Sequence, residues 1–307
     1  MVNWCLPAVG SRKDVATRSA LRNWVEYGAV RGVVQVIGIL PDPAAMLVAR
    51  ACFRLLDVLV PKLRIVAQRN LTLTGLDLDN VQKMYESLAR MLVSFSRFPR
   101  LDRSNIGQYI RYEGFEHFER ALGQGKGVLF ATAHLGNWEL SAFAHSFLAK
   151  PMHVVVRPLD NPLMDAFVER RRSLSGNTIL GKRDFLRDIF RALQSNQAVG
   201  ILVDQNVSAS EGVFVDFFGR KACVSPAFAK LAARTGAAVI PGFAVWNGAE
   251  KKYVLRFYPP VVLCGEAVED TQRIQSAVET AIREYPGQWL WMHRRWKTRP
   301  SGEAPIY

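Results

Sequence analysis

Short apolar runs alternate with longer amphipathic segments from about residue 105 to about residue 285, and this alternation limits the possible folds more than any other feature. The predicted strands are Val128–Ala133, His153–Arg157, Thr178–Leu180, Val199–Val203, Val239–Trp246 and Tyr253–Tyr258. The predicted helices are Gly114–Leu122, Trp138–Ala149, Pro162–Leu174, Arg183–Gln194, Pro226–Thr235 and Thr271–Arg283. Because strands and helices alternate, we predict an α/β fold with a mostly parallel central sheet flanked by helices.

The first hundred residues lack this alternation. Helices are predicted over Arg22–Leu40, Ala44–Val60 and Asn80–Phe98. We therefore expect a helical N-terminal region, 1–100, followed by an α/β domain, 101–307. In the second helix Arg50, Arg54 and Asp57 fall within about 60° of one another on a helical wheel and leave a wide apolar face. That face fits a helix lying in a membrane interface or one packed on the protein core, and both interpretations stay open.

Composition indicates that the partners are anionic but does not distinguish between nucleic acid, membrane and protein. With 49% hydrophobic and 22% charged residues, the 307-residue chain can build a large core. The formal net charge of +13 favours anionic partners: nucleic acid, an anionic membrane surface or an acidic protein. The four cysteines are scattered and form no Cys-x-x-Cys or Cys/His cluster, so neither a zinc site nor a disulfide framework is indicated. We also expect no other metal and no cofactor.

The string Ala133–Glu139 carries the clearest chemical signal. It places His134 and Glu139 where a buried strand turns into a helix, at the carboxyl end of the strand, where open α/β sheets bind ligands. With His134 on the turn and Glu139 in the first helical turns, the two side chains can converge. An imidazole held by a carboxylate can take a proton from an alcohol near neutral pH. The alternative is a packed, hydrogen-bonded histidine.

The residues around His134 extend this interpretation. Gly136 permits an unusual backbone angle or a close approach. The free amides at the start of the following helix could hold a developing oxyanion. The chain has no Gly-x-Ser-x-Gly nucleophile motif at this position. We therefore expect His134 to activate an incoming hydroxyl directly, without a covalent acyl-enzyme.

Arg157 follows another predicted strand. If that strand neighbours the one before His134, the Arg157 guanidinium points toward the same edge, where it could bind phosphate or stabilise a carbonyl oxygen gaining charge. The adjoining residues also describe a helix-starting turn, with Asp160 or Asn161 as N-cap and Pro162 at the first helical position. Both interpretations can hold together.

Three further groups are candidates for substrate contacts. Asp204 and Gln205 end a predicted strand, although they could form an ordinary polar turn. Phe217 and Phe218 could line an apolar slot or belong to the core. The segment Trp289–Pro300 interleaves tryptophans with basic residues, a mixture that suits nucleic-acid bases and phosphates or phosphorylated lipid headgroups at an interface. A solvated C-terminal face is the alternative for that segment.

Taken together, these motifs resemble the lipid A biosynthesis acyltransferases, the late lauroyl and myristoyl transferases of the lysophospholipid acyltransferase superfamily. The resemblance covers about residues 20 to 300. The order and number of its motifs make it specific. The motifs are His-x4-Glu at His134–Glu139, Arg-Pro-Leu-Asp-Asn at Arg157–Asn161, Asp-Gln at Asp204-Gln205, Phe-Phe-Gly at Phe217–Gly219, Leu-Ala-x-x-Thr-Gly-Ala at Leu231–Ala237 and Trp-x-His-Arg-Arg-x-Lys-Thr-Arg-Pro at Trp291–Pro300.

The resemblance implies transfer of a fatty acyl group from acyl carrier protein to a hydroxyl of a phosphorylated glycolipid, at the cytoplasmic face of the inner membrane. By this analogy His134 is the base, Glu139 orients it, and Arg157 is a catalytic or oxyanion contact. The expected substrate-binding residues are Gly136, Asn137, Asn161, Asp204, Gln205, Phe217, Phe218, His293, Arg294, Arg295 and Lys297. The helical N-terminal region, 1–100, is then expected to associate with the membrane, either peripherally or as an anchor. An anionic membrane surface is a further expected partner and nucleic acid is not. The competing hypothesis is a non-catalytic binder of anionic lipid or nucleic acid that uses the C-terminal segment.

Overall fold

The computed structural model describes residues 19–181 and 185–307. The first eighteen residues of the predicted helical region, and Arg183 at the start of one predicted helix, lie outside these ranges. The strands are β1 (Ile110–Glu113), β2 (Val128–Thr132), β3 (His153–Val155), β4 (Thr178–Leu180), β5 (Ala198–Leu202), β6 (Val213–Phe217), β7 (Arg220–Val224), β8 (Ala238–Asn247) and β9 (Lys252–Phe257). The helices are α1 (Ala20–Ile39), α2 (Asp42–Leu59), α3 (Pro61–Thr74), α4 (Asn80–Arg97), α5 (Phe115–Leu122), α6 (Trp138–Leu148), α7 (Pro162–Arg172), α8 (Phe185–Gln194), α9 (Ala227–Thr235) and α10 (Ala267–Glu284).

The central sheet has the strand order β1-β9-β8-β2-β5-β3-β4. From β8 to β4 neighbouring strands are parallel, whereas β8 and β9 pair antiparallel and β1 runs parallel to β9. The predicted α/β class with a mostly parallel central sheet is thus confirmed. Strand β5 lies between β2 and β3, so the strand before Arg157 is not the direct neighbour of the strand before His134.

Strand β2 shows how the sheet separates two apolar cores. Phe130 points to the cluster that contains Leu140 and Phe143 of α6, while Leu129 and Ala131 point to the opposite cluster with α9 and α10. Because side chains alternate along a strand, a strand covered on both faces reads as one continuous apolar run. Thr132, which lies on the α6 side, is the polar exception that ends the run.

Four of these elements are not predicted from the sequence: β1, α3 and the two strands of the hairpin, β6 and β7. The two hairpin strands pair antiparallel, with Phe217 opposite Arg220. Phe218 and Gly219 form the turn with φ of 57° and 71°. Two successive residues with positive φ are typical of a tight hairpin turn, but phenylalanine is unusual there, so Phe-Phe-Gly gave no turn signal.

The N-terminal helices pack on the α/β layers. Met84 and Leu88 of α4 belong to the same apolar cluster as the inner strands. Helix α2 contacts α4 through a buried face that includes Ala45 and Ala49. Among the described helices, none combines the length and the apolar character that crossing a membrane requires.

Candidate active site

The turn from β2 into α6 has an unusual backbone, as the sequence predicted. Gly136 has φ of 66°, and a Cβ there would overlap the carbonyl oxygen of Ala244 on β8. The Gly136 N–H donates to Gln288 O at 2.9 Å, and the Asn137 N–H donates to Ala244 O at 2.8 Å. The Asn137 side chain accepts from Leu140 N at 3.0 Å and caps α6. Gly136 and Asn137 therefore shape the turn, and their amides are already hydrogen bonded.

Asp204, not Glu139, is the carboxylate that holds His134. The Nδ1–H of His134 donates to Oδ1 of Asp204 at 2.9 Å, and the His134 backbone N–H donates to Oδ2 at 2.9 Å. The indole N–H of Trp289 also donates to Oδ2, at 2.8 Å. Asp204 is only 2% exposed, so its burial does not support the predicted contact between Asp204 and the substrate. Strand β5 lies beside β2, and this adjacency brings Asp204 to the imidazole.

The expected pairing of Glu139 with His134 is corrected by the structure. Both carboxylate oxygens of Glu139 instead accept from Arg172 at the end of α7, at 2.8 Å from Nε and 2.5 Å from Nη2. This ion pair is largely buried. The charge of Glu139 still favours the protonated form of His134, and Arg172 opposes that effect. Glu139 thus acts on the imidazole through space rather than by a hydrogen bond.

The electrostatics of the His134–Asp204 pair suit a general base. Burial alone would lower the pKa of His134, but the charge of Asp204 and its hydrogen bond outweigh burial and raise the pKa above the usual 6.5. Burial would raise the pKa of Asp204, yet His134 and the Trp289 indole hold the pKa of this carboxyl far below its usual value. Asp204 is therefore ionised and accepts the Nδ1–H, which leaves Nε2 as the basic nitrogen. The side chain of Gln205 lies beside Nε2 at 3.5 Å.

Two residues of the predicted site lie outside this hydrogen-bonded group. The Arg157 side chain is 87% exposed, and its charged neighbour Asp160 is 4.0 Å away. Asn161 is the N-cap of α7 and accepts from Leu163 N at 3.0 Å. Its amide N–H donates to Asn23 O at 3.0 Å and so ties α7 to α1. The helix-starting turn is confirmed, and Asn161 is structural; the catalytic role of Arg157 stays a prediction.

The C-terminal segment is not the exposed aromatic surface that the sequence suggested. Trp289, Trp291 and Trp296 are fully buried. Arg295 is also fully buried and donates to Gln205 O at 3.2 Å and to Gln275 Oε1 at 2.7 Å. Tryptophans in the core cannot stack on bases or lie among headgroups, which removes the aromatic part of the support for the competing binder hypothesis. The segment instead packs against the loop that contains Asp204 and Gln205 and holds it through hydrogen bonds from Trp289 and Arg295.

His293 supports the same loop. Its Nε2 accepts from Asn206 N at 3.1 Å, and burial lowers its pKa to about 4, so the ring is neutral near pH 7. Arg294 and Lys297 are exposed on the segment that carries His293. Of the predicted contacts in this segment, only these two cations are open to an anionic ligand.

Phe217 and Phe218 do not line an apolar slot. Phe217 is completely buried and packs edge-on against Trp289, with the Arg295 guanidinium 4.6 Å from its ring centre. Phe218 is the hairpin-turn residue and lies under Arg283. Both belong to the core on the α10 side of the sheet, the alternative that the sequence left open.

An apolar cavity lies on the other side of the sheet, under α6. Trp138, Glu139, Thr132 and Arg172 line it at the end next to His134, whose ring contacts the Trp138 ring edge-on at 5.0 Å. Its deeper walls come from the strands and α6, with Phe130, His145, Met152, Val154, Leu202 and Phe257 among them. The polar group around His134 thus lies next to an apolar cavity that suits a hydrocarbon chain.

Sequence reasoning missed several residues of this polar group. Arg172 is one of three consecutive arginines at the end of α7, and nothing in the sequence distinguishes it from Arg170 and Arg171. Trp289 was read as part of an interfacial segment, although its indole bonds to Asp204. For the pairing of Asp204 with His134 the sequence offered one signal, the position of Asp204 at the carboxyl end of a strand. That signal identifies the pair only when β5 is known to lie beside β2.

Comparison with known proteins shows the family of this chain. The family described as bacterial lipid A biosynthesis acyltransferase matches residues 13–298. The chain belongs to this family. It is 26% identical to the lipid A biosynthesis lauroyltransferase of Escherichia coli K12 over 297 residues, which cover 93% of this chain and 95% of that protein. The resemblance drawn from the motifs is confirmed, and the protein is an acyltransferase.

Other members of the family differ in their named substrates. The palmitoleoyltransferase of lipid A biosynthesis from Escherichia coli K12 is 29% identical over 208 residues, covering 66% of this chain and 67% of that protein. The phosphatidylinositol mannoside acyltransferase of Mycolicibacterium smegmatis is 27% identical over 230 residues, covering 73% of this chain and 75% of that protein. Similarity at this level therefore does not single out one acyl chain or one acceptor.

Proposed function

We propose that this enzyme transfers a fatty acyl group from an acyl carrier protein thioester to a hydroxyl of a phosphorylated glycolipid, such as a lipid A precursor. One observation carries the proposal: Asp204 holds Nδ1 of His134, and the His134 ring lies edge-on to Trp138, a residue that lines an apolar cavity. A base next to a hydrocarbon channel suits an alcohol acceptor and a fatty acyl donor. The relatives that act on lipid A and on phosphatidylinositol mannoside support a glycolipid acceptor.

The proposed reaction begins at the basic nitrogen of His134, Nε2. Nε2 takes the proton of the acceptor hydroxyl, and the resulting oxygen nucleophile attacks the thioester carbonyl carbon. The tetrahedral intermediate collapses with cleavage of the carbon–sulfur bond, and the imidazolium returns the proton to the leaving thiolate. Asp204 stabilises the imidazolium that exists between these two transfers, as the raised pKa of His134 indicates. The chain itself forms no covalent bond to the acyl group.

The oxyanion needs donors other than those first expected. The amides of Gly136 and Asn137 are bonded to carbonyl groups. The next two amides, of Trp138 and Glu139 at the start of α6, have no hydrogen-bond partner among residues 19–181 and 185–307. These two N–H groups, at the positive end of the helix dipole, are our candidates for stabilising the oxyanion.

Surface charge supports the anionic partners in this proposal. The net charge of +13 attracts both an acidic carrier protein and a phosphorylated lipid. Exposed Arg294 and Lys297 flank buried Arg295, which holds the Gln205 backbone. Anionic groups that bind these two cations would therefore lie on the segment that supports the loop carrying Asp204 and Gln205.

Helix α2 presents an apolar stripe that supports membrane association. Leu47, Leu55, Val58 and Leu59 are between 58% and 71% exposed and recur at helical spacing. The opposite face, with Ala45 and Ala49, is buried. Exposed Arg54 and Lys62 are cationic neighbours of the stripe, as on helices that lie in an anionic interface. We place the enzyme at the cytoplasmic face of the inner membrane, with α2 lying in the interface.

Charging the stripe is expected to release the enzyme from membranes. The double variant Leu55→Glu/Leu59→Glu should lower the partition coefficient onto anionic phospholipid vesicles at least tenfold, because each buried leucine contributes roughly 1.5–3 kcal/mol. Vesicle flotation measures this. Val262→Glu is the matched control, since Val262 is 78% exposed but lies just before α10. Equal flotation of the double variant and the wild type would contradict the assignment of this face.

Incubation with acyl carrier protein thioesters and a panel of glycolipids tests the function itself. We expect a mass gain equal to one fatty acyl residue on a phosphorylated glycolipid, read by mass spectrometry, with free carrier thiol released in equal amount. A panel that includes lipid A precursors and phosphatidylinositol mannosides separates the acceptors named for the relatives. Release of thiol without acylation of any lipid would contradict the transferase proposal.

A further inference from the structure

His145 is a polar side chain enclosed in the apolar cavity. It lies on α6, two helical turns beyond Trp138, which corresponds to about 10 Å along the axis. The side chain is buried among aromatic rings, with Phe118, Phe130 and Phe257 all edge-on to it. Burial lowers its pKa to about 3, so the ring is neutral at physiological pH. This histidine plays no part in the proton transfers at His134.

The hydrogen bond to Tyr112 determines which ring nitrogen carries the proton. The Tyr112 hydroxyl lies 2.7 Å from Nδ1 of His145. Burial raises the pKa of Tyr112, so the phenol keeps its hydrogen. Nδ1 is the one acceptor that this hydroxyl has in the described part of the chain. If Nδ1 carried the ring proton, both the phenol hydrogen and the Nε2 lone pair would lack partners. The other tautomer, with Nε2–H, leaves a single group unsatisfied.

That remaining group, the Nε2–H of His145, is buried and has no hydrogen-bond partner among the described residues. The aromatic rings around it offer only weak acceptors. Buried N–H groups in proteins are nearly always paired, so an orphaned donor in a ligand cavity indicates an acceptor supplied by the ligand. Thr132 Oγ1, at the His134 end of the same cavity, is also buried and unpartnered among the described residues. Two residues that line the cavity thus each carry a buried polar atom without a partner in the described structure.

We propose that the acyl chain bound in this cavity carries an oxygen substituent, a hydroxyl or keto group well away from its carboxyl end, and that His145 Nε2–H donates a hydrogen bond to it. This inference rests on the proposed function, in which the cavity holds the acyl chain. His145 is then a specificity-determining residue, because an unsubstituted chain leaves the donor unpaired. Thr132 lies near the reacting end and contacts every chain alike.

Direct binding of fatty acids to the full chain tests this inference without an acceptor lipid. The probes are laurate and its hydroxy derivatives substituted near the carboxyl end, at mid-chain and at the methyl end, with dissociation constants measured by calorimetry. We expect a mid-chain or terminal hydroxylaurate to bind roughly 2- to 10-fold more tightly than laurate, the range of one net hydrogen bond, because the donor is unpaired in the free chain and in the laurate complex and is paired only by the hydroxylated chain. Hydroxylation near the carboxyl end should give no such gain.

Two variants separate recognition from structure. His145→Phe should remove the preference for the distal hydroxyl while retaining laurate binding, and His145→Gln, which keeps an N–H donor, should retain part of it. Thr132→Val should weaken all probes by the same factor. Thermal unfolding of each variant verifies the fold. Equal affinities for laurate and every hydroxylaurate in the wild type would overturn this inference alone. Failure of every chain to bind would overturn the acyl-cavity assignment together with it.

Discussion

Replacing His134 by alanine is expected to lower acyl transfer by roughly 10²–10⁴-fold, the usual contribution of a general base. Nε2 of His134 is the basic nitrogen, because Nδ1 is bonded to Asp204, and Asp204 is buried with both oxygens occupied. The measurement is single-turnover formation of acylated lipid at saturating donor.

A second variant controls for structural damage. His134→Ala leaves Oδ1 of Asp204 without its Nδ1–H donor, and an uncompensated buried carboxylate is destabilising. His134→Asn retains an N–H donor of similar reach but has no basic nitrogen. Both variants should lose transfer, whereas His134→Asn should unfold near the wild-type temperature. Retention of more than about a tenth of the wild-type rate in a folded variant would contradict general-base catalysis by this residue.

Asp204→Asn is expected to lower the rate of acyl transfer by a comparable factor, roughly 10²–10⁴, because His134 would then adopt the wrong tautomer. Two N–H groups, from the His134 backbone and the Trp289 indole, donate to Oδ2. An asparagine must place its carbonyl oxygen there, which turns its NH₂ group toward Nδ1 of His134. Nδ1 then accepts a hydrogen bond, the ring proton moves to Nε2, and Nε2 can no longer act as the base.

The pH profile distinguishes this effect from a loss of structure. In the wild type the neutral imidazole is the active form, so kcat/KM should fall as the pH decreases. The midpoint of this fall should lie above pH 6.5, because the pKa of His134 is raised. Removing the Asp204 charge lowers that pKa, so the residual activity of Asp204→Asn should have its midpoint at lower pH. Glu139→Gln is the control: it releases Arg172 and lowers the rate, but its midpoint should move less. An unshifted midpoint in Asp204→Asn would exclude Asp204 as the partner that sets the base.

Features that depend on residues close together in the chain could be predicted from the sequence. The strand and helix boundaries were predicted closely because apolar periodicity and capping residues act over a few positions, as at the N-cap Asn161 and the first helical residue Pro162. The special backbone of Gly136 was also predicted, since the turn between a strand and a helix is local. The hairpin at Phe218 was missed because its turn places phenylalanine where glycine or asparagine is usual.

The partners of the charged groups could not be predicted in the same way. The His-x4-Glu spacing suggested that Glu139 holds His134, but the direction of α6 turns Glu139 toward Arg172, and strand order brings Asp204 to the imidazole. The tryptophans and basic residues of the C-terminal segment had the composition of a surface that binds anions. Most of them are buried because the segment packs behind the loop of Asp204.

The amino-acid order alone thus established the α/β class, the family and the histidine at the end of β2, because periodicity and motif spacing are properties of contiguous residues. The tertiary structure decided that Asp204 holds this histidine, that Glu139 pairs with Arg172, and that an apolar cavity lies beneath α6. These outcomes depend on which strands become neighbours and how helices cross the sheet. Such contacts join residues far apart in the chain, and their energy is gained only when the whole core is packed.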